Sequence, residues 1–130
     1  MIILDTSVWI EYLKNNQNYF SNICKLLESG EILAVECVFG ELLQGVKNKK
    51  EEEIILKYWE HLPKKKYRDI IIKAGIYSKN NKLLDNGVGL IDSIIIMHGI
   101  KSKSKIWTLD KRLLRVLPEE LNYEKNPNFT

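Results

Sequence analysis

Apolar residues run unbroken through Ile2, Ile3 and Leu4, stop on the carboxylate of Asp5, and resume at Val8, Trp9, Ile10, Tyr12 and Leu13. Such a run reads as a buried strand that delivers Asp5 to its C-terminal tip. The spacing behind it predicts a short helix, capped by Thr6 or Ser7 and ended at Asn15 and Asn16. Phe20, Ile23, Cys24, Leu26 and Leu27 predict a second helix over about 19–29, closed by Gly30, and 32–35 reads as a short strand. Val38, Phe39, Leu42, Leu43 and Val46 define one face of a helix over about 37–46. Residues 50–62 predict another helix, opened by Glu51, Glu52 and Glu53 and stopped by Pro63.

Residues 67–84 carry apolar positions at helical spacing up to the turn at Asp85, Asn86 and Gly87. In 87–99 apolar residues occupy every side of a helix, which predicts burial, with Asp92 near its start. Residues 105–110 repeat the opening pattern, an apolar strand ending on Asp110. A helical turn follows over 111–117, Pro118 breaks it, and 122–130 is expected to be a tail with at most one edge strand. Short strands alternating with helices predict an α/β fold, a three-layer α/β/α arrangement around a central, mainly parallel sheet.

Length and composition bound this picture. A chain of 130 residues, 45% hydrophobic and 28% charged, suits one domain over 1–130 with a real core. Cys24 and Cys37 form no CxxC pair, and the N-terminal apolar run is too short for a signal or a membrane span. A reduced, cytoplasmic location with buried free thiols, away from any membrane, is therefore expected. The net charge of +3 and pI near 8.8 are compatible with a nucleic-acid partner without requiring one.

The two strand-end carboxylates change the picture most. In open α/β sheets the ligand site lies outside the carboxyl ends of the strands, so Asp5 and Asp110 would stand together, and the first turn of the buried helix can bring Asp92 to the same end. Like charges so placed raise one another's pKa unless a cation compensates. An all-oxygen donor set suits Mg²⁺ or Mn²⁺, and such ions hydrolyse phosphodiesters without a protein nucleophile. Glu41 is not picked out in this way, since a helical wheel puts it off the apolar face as a solvated residue.

Leu4-Asp5-Thr6-Ser7-Val8-Trp9-Ile10, Gly40-Glu41-Leu42-Leu43-Gln44-Gly45, Gly89-Leu90-Ile91-Asp92 and Trp107-Thr108-Leu109-Asp110-Lys111-Arg112-Leu113 together resemble the four motifs of the PIN-domain ribonucleases. More narrowly, the chain resembles the VapC toxins of toxin–antitoxin pairs. The resemblance runs from Met1 to about Leu117. It implies that Asp5, Glu41, Asp92 and Asp110 form an acidic quartet holding Mg²⁺ or Mn²⁺, with Ser7 and Thr108 supporting the metal or its waters. It further implies endonucleolytic cleavage of RNA, a homodimer, and inhibition by a cognate antitoxin whose C-terminal segment lies in the active-site groove. Bulky Ile94-Ile95-Ile96-Met97-His98 after the third acid and Lys111-Arg112 after the fourth depart from many relatives.

Plainer readings stand beside these. Asp5, Asp92 and Asp110 each suit a helix cap, and so do Ser7 and Thr108. His61 and His98 sit near predicted helix C-termini, where the dipole favours a cation, and are read as structural. Asp85 and Glu36 read as turn and surface residues. The run Lys64-Lys65-Lys66 with Arg68 reads as a solvated loop, since no aromatic platform accompanies it at stacking spacing. Trp9 and Trp107 read as core, and Tyr12 and Trp59 as candidates for a dimer or antitoxin surface. The rival functions are a catalytically inactive PIN-like module that binds RNA or protein, and an aspartyl-phosphate phosphohydrolase, which would want an Asp where Ser7 stands.

Overall fold

The computed structural model describes residues 1–125. Its elements are β1 (Ile2–Leu4), α1 (Thr6–Leu13), α2 (Gln17–Glu28), α3 (Glu36–Gln44), α4 (Lys49–His61), α5 (Ile70–Asn80), α6 (Leu90–Ser102), β2 (Lys105–Trp107) and α7 (Lys111–Val116), with 3₁₀ turns at Leu84–Asn86, Glu119–Leu121 and Tyr123–Lys125. β1 and β2 pair in parallel, Ile2 opposite Lys105 and Leu4 opposite Trp107. Single parallel bridges extend this pair on both sides, Ile2 to Ile32 and Ala34 to Lys64 on one flank, Ile106 to Asn122 on the other. The result is an α/β fold with an all-parallel sheet whose chain segments end on one edge.

All three residues of β1 are buried. Because successive side chains of a strand point to opposite faces, burial of the whole run means that both faces are covered. On one side α6 lies so close to β2 that a Cβ on Gly99 would stand 2.7 Å from Ile106 Cδ1. The core of α1 is aromatic: Trp9 meets Phe39 and Tyr58 at centroid distances of 5.3 and 5.4 Å, and the Tyr12 and Tyr58 hydroxyls share a hydrogen bond of 2.8 Å.

Several expectations need correction. Asp5, not Thr6 or Ser7, is the N-cap of α1, and the two hydroxyl residues are its first helical positions. Residues 32–35 make isolated bridges rather than a regular strand, and their neighbour at Lys64 follows Pro63, whose nitrogen has no proton to donate. Residues 67–69 remain outside α5, because the chain is held extended at Lys64 and reverses only at Asp69, whose φ is 57°. Tyr12 is buried against Trp9 rather than at a surface. In the expected tail, Asn122 bridges Ile106, while 126–130 lie outside the described residues. Cys24 and Cys37 are free, and half-buried rather than fully enclosed.

Candidate active site

Asp5 stands just past β1 and is only 4% exposed, although a carboxylate is costly to bury. Its backbone N–H donates to Trp107 O at 3.1 Å, continuing the β1–β2 ladder to the point where both chains turn into helices. Its side chain is held from both flanks. Ser7 Oγ donates to Oδ1 at 2.5 Å, the Val8 amide donates to the same oxygen at 3.3 Å, and Thr108 Oγ1 donates to Oδ2. Each hydroxyl also accepts: Ser7 Oγ from the Leu109 amide and Thr108 Oγ1 from the Asp110 amide, both at 3.0 Å. Two side chains thus lace the β1–α1 turn to the β2–α7 turn through Asp5. Burial raises the Asp5 pKa above 3.8 against these hydrogen bonds, which lower it.

Asp110 is exposed and caps α7, its Oδ1 accepting from the amides of Arg112 at 2.8 Å and Leu113 at 3.4 Å. Asp92 is the third residue of α6 and half-buried. Its pKa is pushed up to about 6, first by burial and then by the charges of Asp110, Asp5 and Glu41. That ordering places all three other acids within electrostatic reach of Asp92. Glu41 is exposed, as its helical wheel predicts, yet it is not merely solvated. Thr6 Oγ1 donates to its Oε1 at 2.6 Å, tying α3 to the first turn of α1. The neighbouring thiol of Cys37 is raised to about 12 by burial, then by the charges of Glu41 and Asp92.

Thr6 is the residue that sequence reasoning missed as part of this cluster. A hydroxyl directly after a strand-end Asp is a usable signal, but it was absorbed by the cap assignment. The histidines stand apart from the acids in role. His61 Nδ1 pairs with Lys57 O at 2.8 Å within α4. His98 is buried and its pKa is lowered by that burial, so desolvation, not the helix dipole, decides its charge.

Among the described residues no group of three or more His, Cys, Asp or Glu side chains closes into a coordination shell. The acids nonetheless fit a hard ion in kind. Among the described residues no Lys, Arg or His forms a salt bridge with any of the four. A carboxylate has about four lone-pair sites. Asp5 therefore keeps one on Oδ2, and Asp110 Oδ2, Glu41 Oε2 and both Asp92 oxygens accept no hydrogen bond from the described residues. Uncommitted carboxylate oxygens with uncompensated charge are what Mg²⁺ or Mn²⁺ would take.

An all-parallel sheet with carboxylates gathered beyond its C-terminal edge defines an α/β protein with an acidic site at the position where such folds carry chemistry. The sequence matches the PIN domain family over residues 2–117, and the chain belongs to that family. PIN domains are generally nucleases, so the fold is of a nuclease type. No curated protein matches the chain.

Proposed function

We propose that this protein is a divalent-metal-dependent endoribonuclease of the VapC kind, the toxin of a toxin–antitoxin pair. The observation that carries the nuclease assignment is the placement of the acids: Asp5 and Asp110 follow the paired strands β1 and β2 and are tied together through Thr108, while Asp92, its pKa raised first by burial, also feels the charges of Asp110, Asp5 and Glu41. In this assignment Asp5, Glu41, Asp92 and Asp110 hold Mg²⁺ or Mn²⁺, and Ser7 and Thr108 support Asp5. When bound, the ion lowers the pKa of a water and offsets charge on the phosphoryl oxygens.

The chain's own groups do the rest. Asp5, fixed through both carboxylate oxygens, presents its remaining lone pair in one direction, which lowers the reorganisation needed during reaction. Hydrolysis also demands that the water whose oxygen bonds to phosphorus lose its proton, which passes to solvent at the exposed rim of the site, where Glu41 and Asp110 stand. The broken P–O bond leaves an alkoxide on the departing ribose, which regains a proton from solvent. Cys37, the thiol nearest the acids, stays protonated with its pKa near 12 and supplies no nucleophile.

A homodimer is supported by an exposed apolar strip: Ile71, Ile72 and Ile76 on α5, Leu84 in the following turn and Leu90 at the start of α6. The antitoxin's C-terminal segment would lie along the acidic groove, and the site of action would be cytoplasmic, where RNA is available. Among the described residues no helix is long and apolar enough to cross a membrane.

The test is cleavage of single-stranded RNA with Mg²⁺ or Mn²⁺, alongside calorimetric titration of the metal. Wild type should bind and cut, and Asp5→Asn and Asp92→Asn should remain folded and lose at least about a hundredfold in rate, the loss expected when a transition-state electrostatic group is removed. Equal cleavage by variant and wild type would sink the catalytic assignment. Metal binding absent at millimolar concentration would favour an inactive binding module. The toxin role is tested by co-purification with the product of any small adjacent gene for a DNA-binding protein, and by growth arrest on induction.

A further inference from the structure

A groove of about 860 Å³ lies between the segment that follows α4 and helix α6, bordered by Trp59, Lys64, Lys65, Lys66, Tyr67 and His98, among others. Its position follows from the sheet. Ile2 pairs with Ile32 and Ala34 with Lys64, all in parallel, so Asp5, Val35 and Lys65 stand abreast and the chain leaves Lys65 toward the same edge as Asp5. Neighbouring strands are about 4.8 Å apart, which puts the Lys65 backbone about 10 Å across the sheet from Asp5. From the other side, His98 lies six residues beyond Asp92 on α6, about 9 Å along the axis.

The groove's basic residues are not equivalent. Lys64 is committed to the C-terminal end of α4, its Nζ donating to the carbonyls of Trp59 at 2.5 Å and Leu62 at 3.0 Å while it covers the Trp59 ring at 4.9 Å. Arg68 pairs with Asp69 at 3.7 Å. Lys65 and Lys66 are exposed and, among the described residues, form no ion pair. Behind them the Tyr67 ring stands edge-on to His98 at 5.6 Å. His98 is only 8% exposed, and among the described residues neither ring nitrogen makes a hydrogen bond. Its ring nitrogens are not sealed in the core, since His98 lines the groove, and the neutral imidazole offers one donor and one acceptor there. The ribose 2′-hydroxyl is also both donor and acceptor, a match that a carboxylate of an acidic protein segment lacks.

We propose that this groove is the single-stranded RNA subsite beside the carboxylate cluster, with Lys65 and Lys66 taking backbone phosphates, Tyr67 stacking a base and His98 taking a ribose 2′-hydroxyl. The polymer's identity rests on the endoribonuclease assignment above. The expected solvated loop is thereby given a partner: Tyr67, which directly follows the lysines, supplies the stacking ring, and α6 brings His98 against it.

The experiment measures binding of a fluorescent single-stranded oligoribonucleotide, and of the same DNA sequence, to the full chain in EDTA, where cleavage does not intervene. Lys65→Gln with Lys66→Gln should weaken RNA binding about tenfold and reduce the salt slope by about 1.4, the value for two phosphates of a single strand. His98→Phe, which keeps a ring against Tyr67, should lose the preference for RNA over DNA. The control pair Lys49→Gln and Lys50→Gln, at the opposite end of α4, should bind as wild type. Unchanged binding in the Lys65 and Lys66 variant overturns the subsite, as does an equal loss in the control. Poly-glutamate of equal charge binding as tightly as RNA overturns it in favour of an acidic protein segment. Cleavage by wild type with Mn²⁺ is scored separately: cutting with unaltered variant binding leaves the nuclease standing and the groove refuted, while altered binding without cutting does the reverse.

Discussion

Asp5 acts as helix cap and buried acid at once, because the turn that ends β1 gives its side chain both a free amide at Val8 and the hydroxyls of Ser7 and Thr108. Capping and site membership are therefore not alternatives at this position, and the same holds for Asp110 over α7. Thr108→Val removes the donor to Asp5 Oδ2 and the acceptor of the Asp110 amide together, and should cost about 1–3 kcal/mol in urea unfolding. Asp92 sets a pH dependence. Its folded pKa of about 6 lies above the ordinary 3.8, so the native state binds the extra proton between those values. The stabilisation this confers is complete below about 3.8 and is lost as pH rises through about 6. In EDTA, wild type should therefore gain melting temperature relative to Asp92→Asn on going from pH 7.5 to pH 5. A pH-independent difference between the two would refute the origin assigned to the shift.

At the scale of elements, α6 joins the site to the core. It is apolar on every side and buried from Ser93 to Gly99, so its first turn carries Asp92 on a helix with little freedom to move. Gly99 lets it approach β2. Gly99→Val would drive a branched side chain into Ile106, which a Cβ alone would meet at 2.7 Å, and should cost about 2–3 kcal/mol by thermal denaturation. On α4, Asn48 accepts from the Glu51 amide at 2.9 Å as N-cap. Asn48→Ala should lower stability by about 1 kcal/mol without changing RNA cleavage, separating fold from site. These helices were legible because their apolar spacing is strong, and even the cap was misassigned only by one residue at α1. Where the sequence misled, at 32–35 and 67–69, the deciding partner was Ile2 or Ala34, distant along the chain.

For the whole molecule, the strip from Ile71 to Leu90 is the largest liability of an isolated protomer, with Leu84 76% exposed and Ile72 66%. Large exposed apolar patches mark interaction sites in soluble proteins. Sedimentation should find a dimer, and Ile76→Asp combined with Leu84→Asp should give a folded monomer. A dimer that persists in that variant would place the interface elsewhere.

The sequence by itself determined the helices, the burial of α6 and the delivery of Asp5 to a strand end, because hydrophobic period and turn chemistry act over a few residues; Asp110, expected at the end of a strand over 105–110, instead caps α7 three residues beyond β2. It also carried the resemblance to the PIN family, whose match covers residues 2–117. Only the tertiary structure decided how Glu41 is held, since its partner Thr6 lies 35 positions away and a helical wheel knows only the helix it is drawn on. The same reason hid the groove. Lys65 and Tyr67 are sequence neighbours, but no local pattern links them to His98, which meets them because parallel pairing aligns Lys64 with Ala34 while α6 packs back along the sheet.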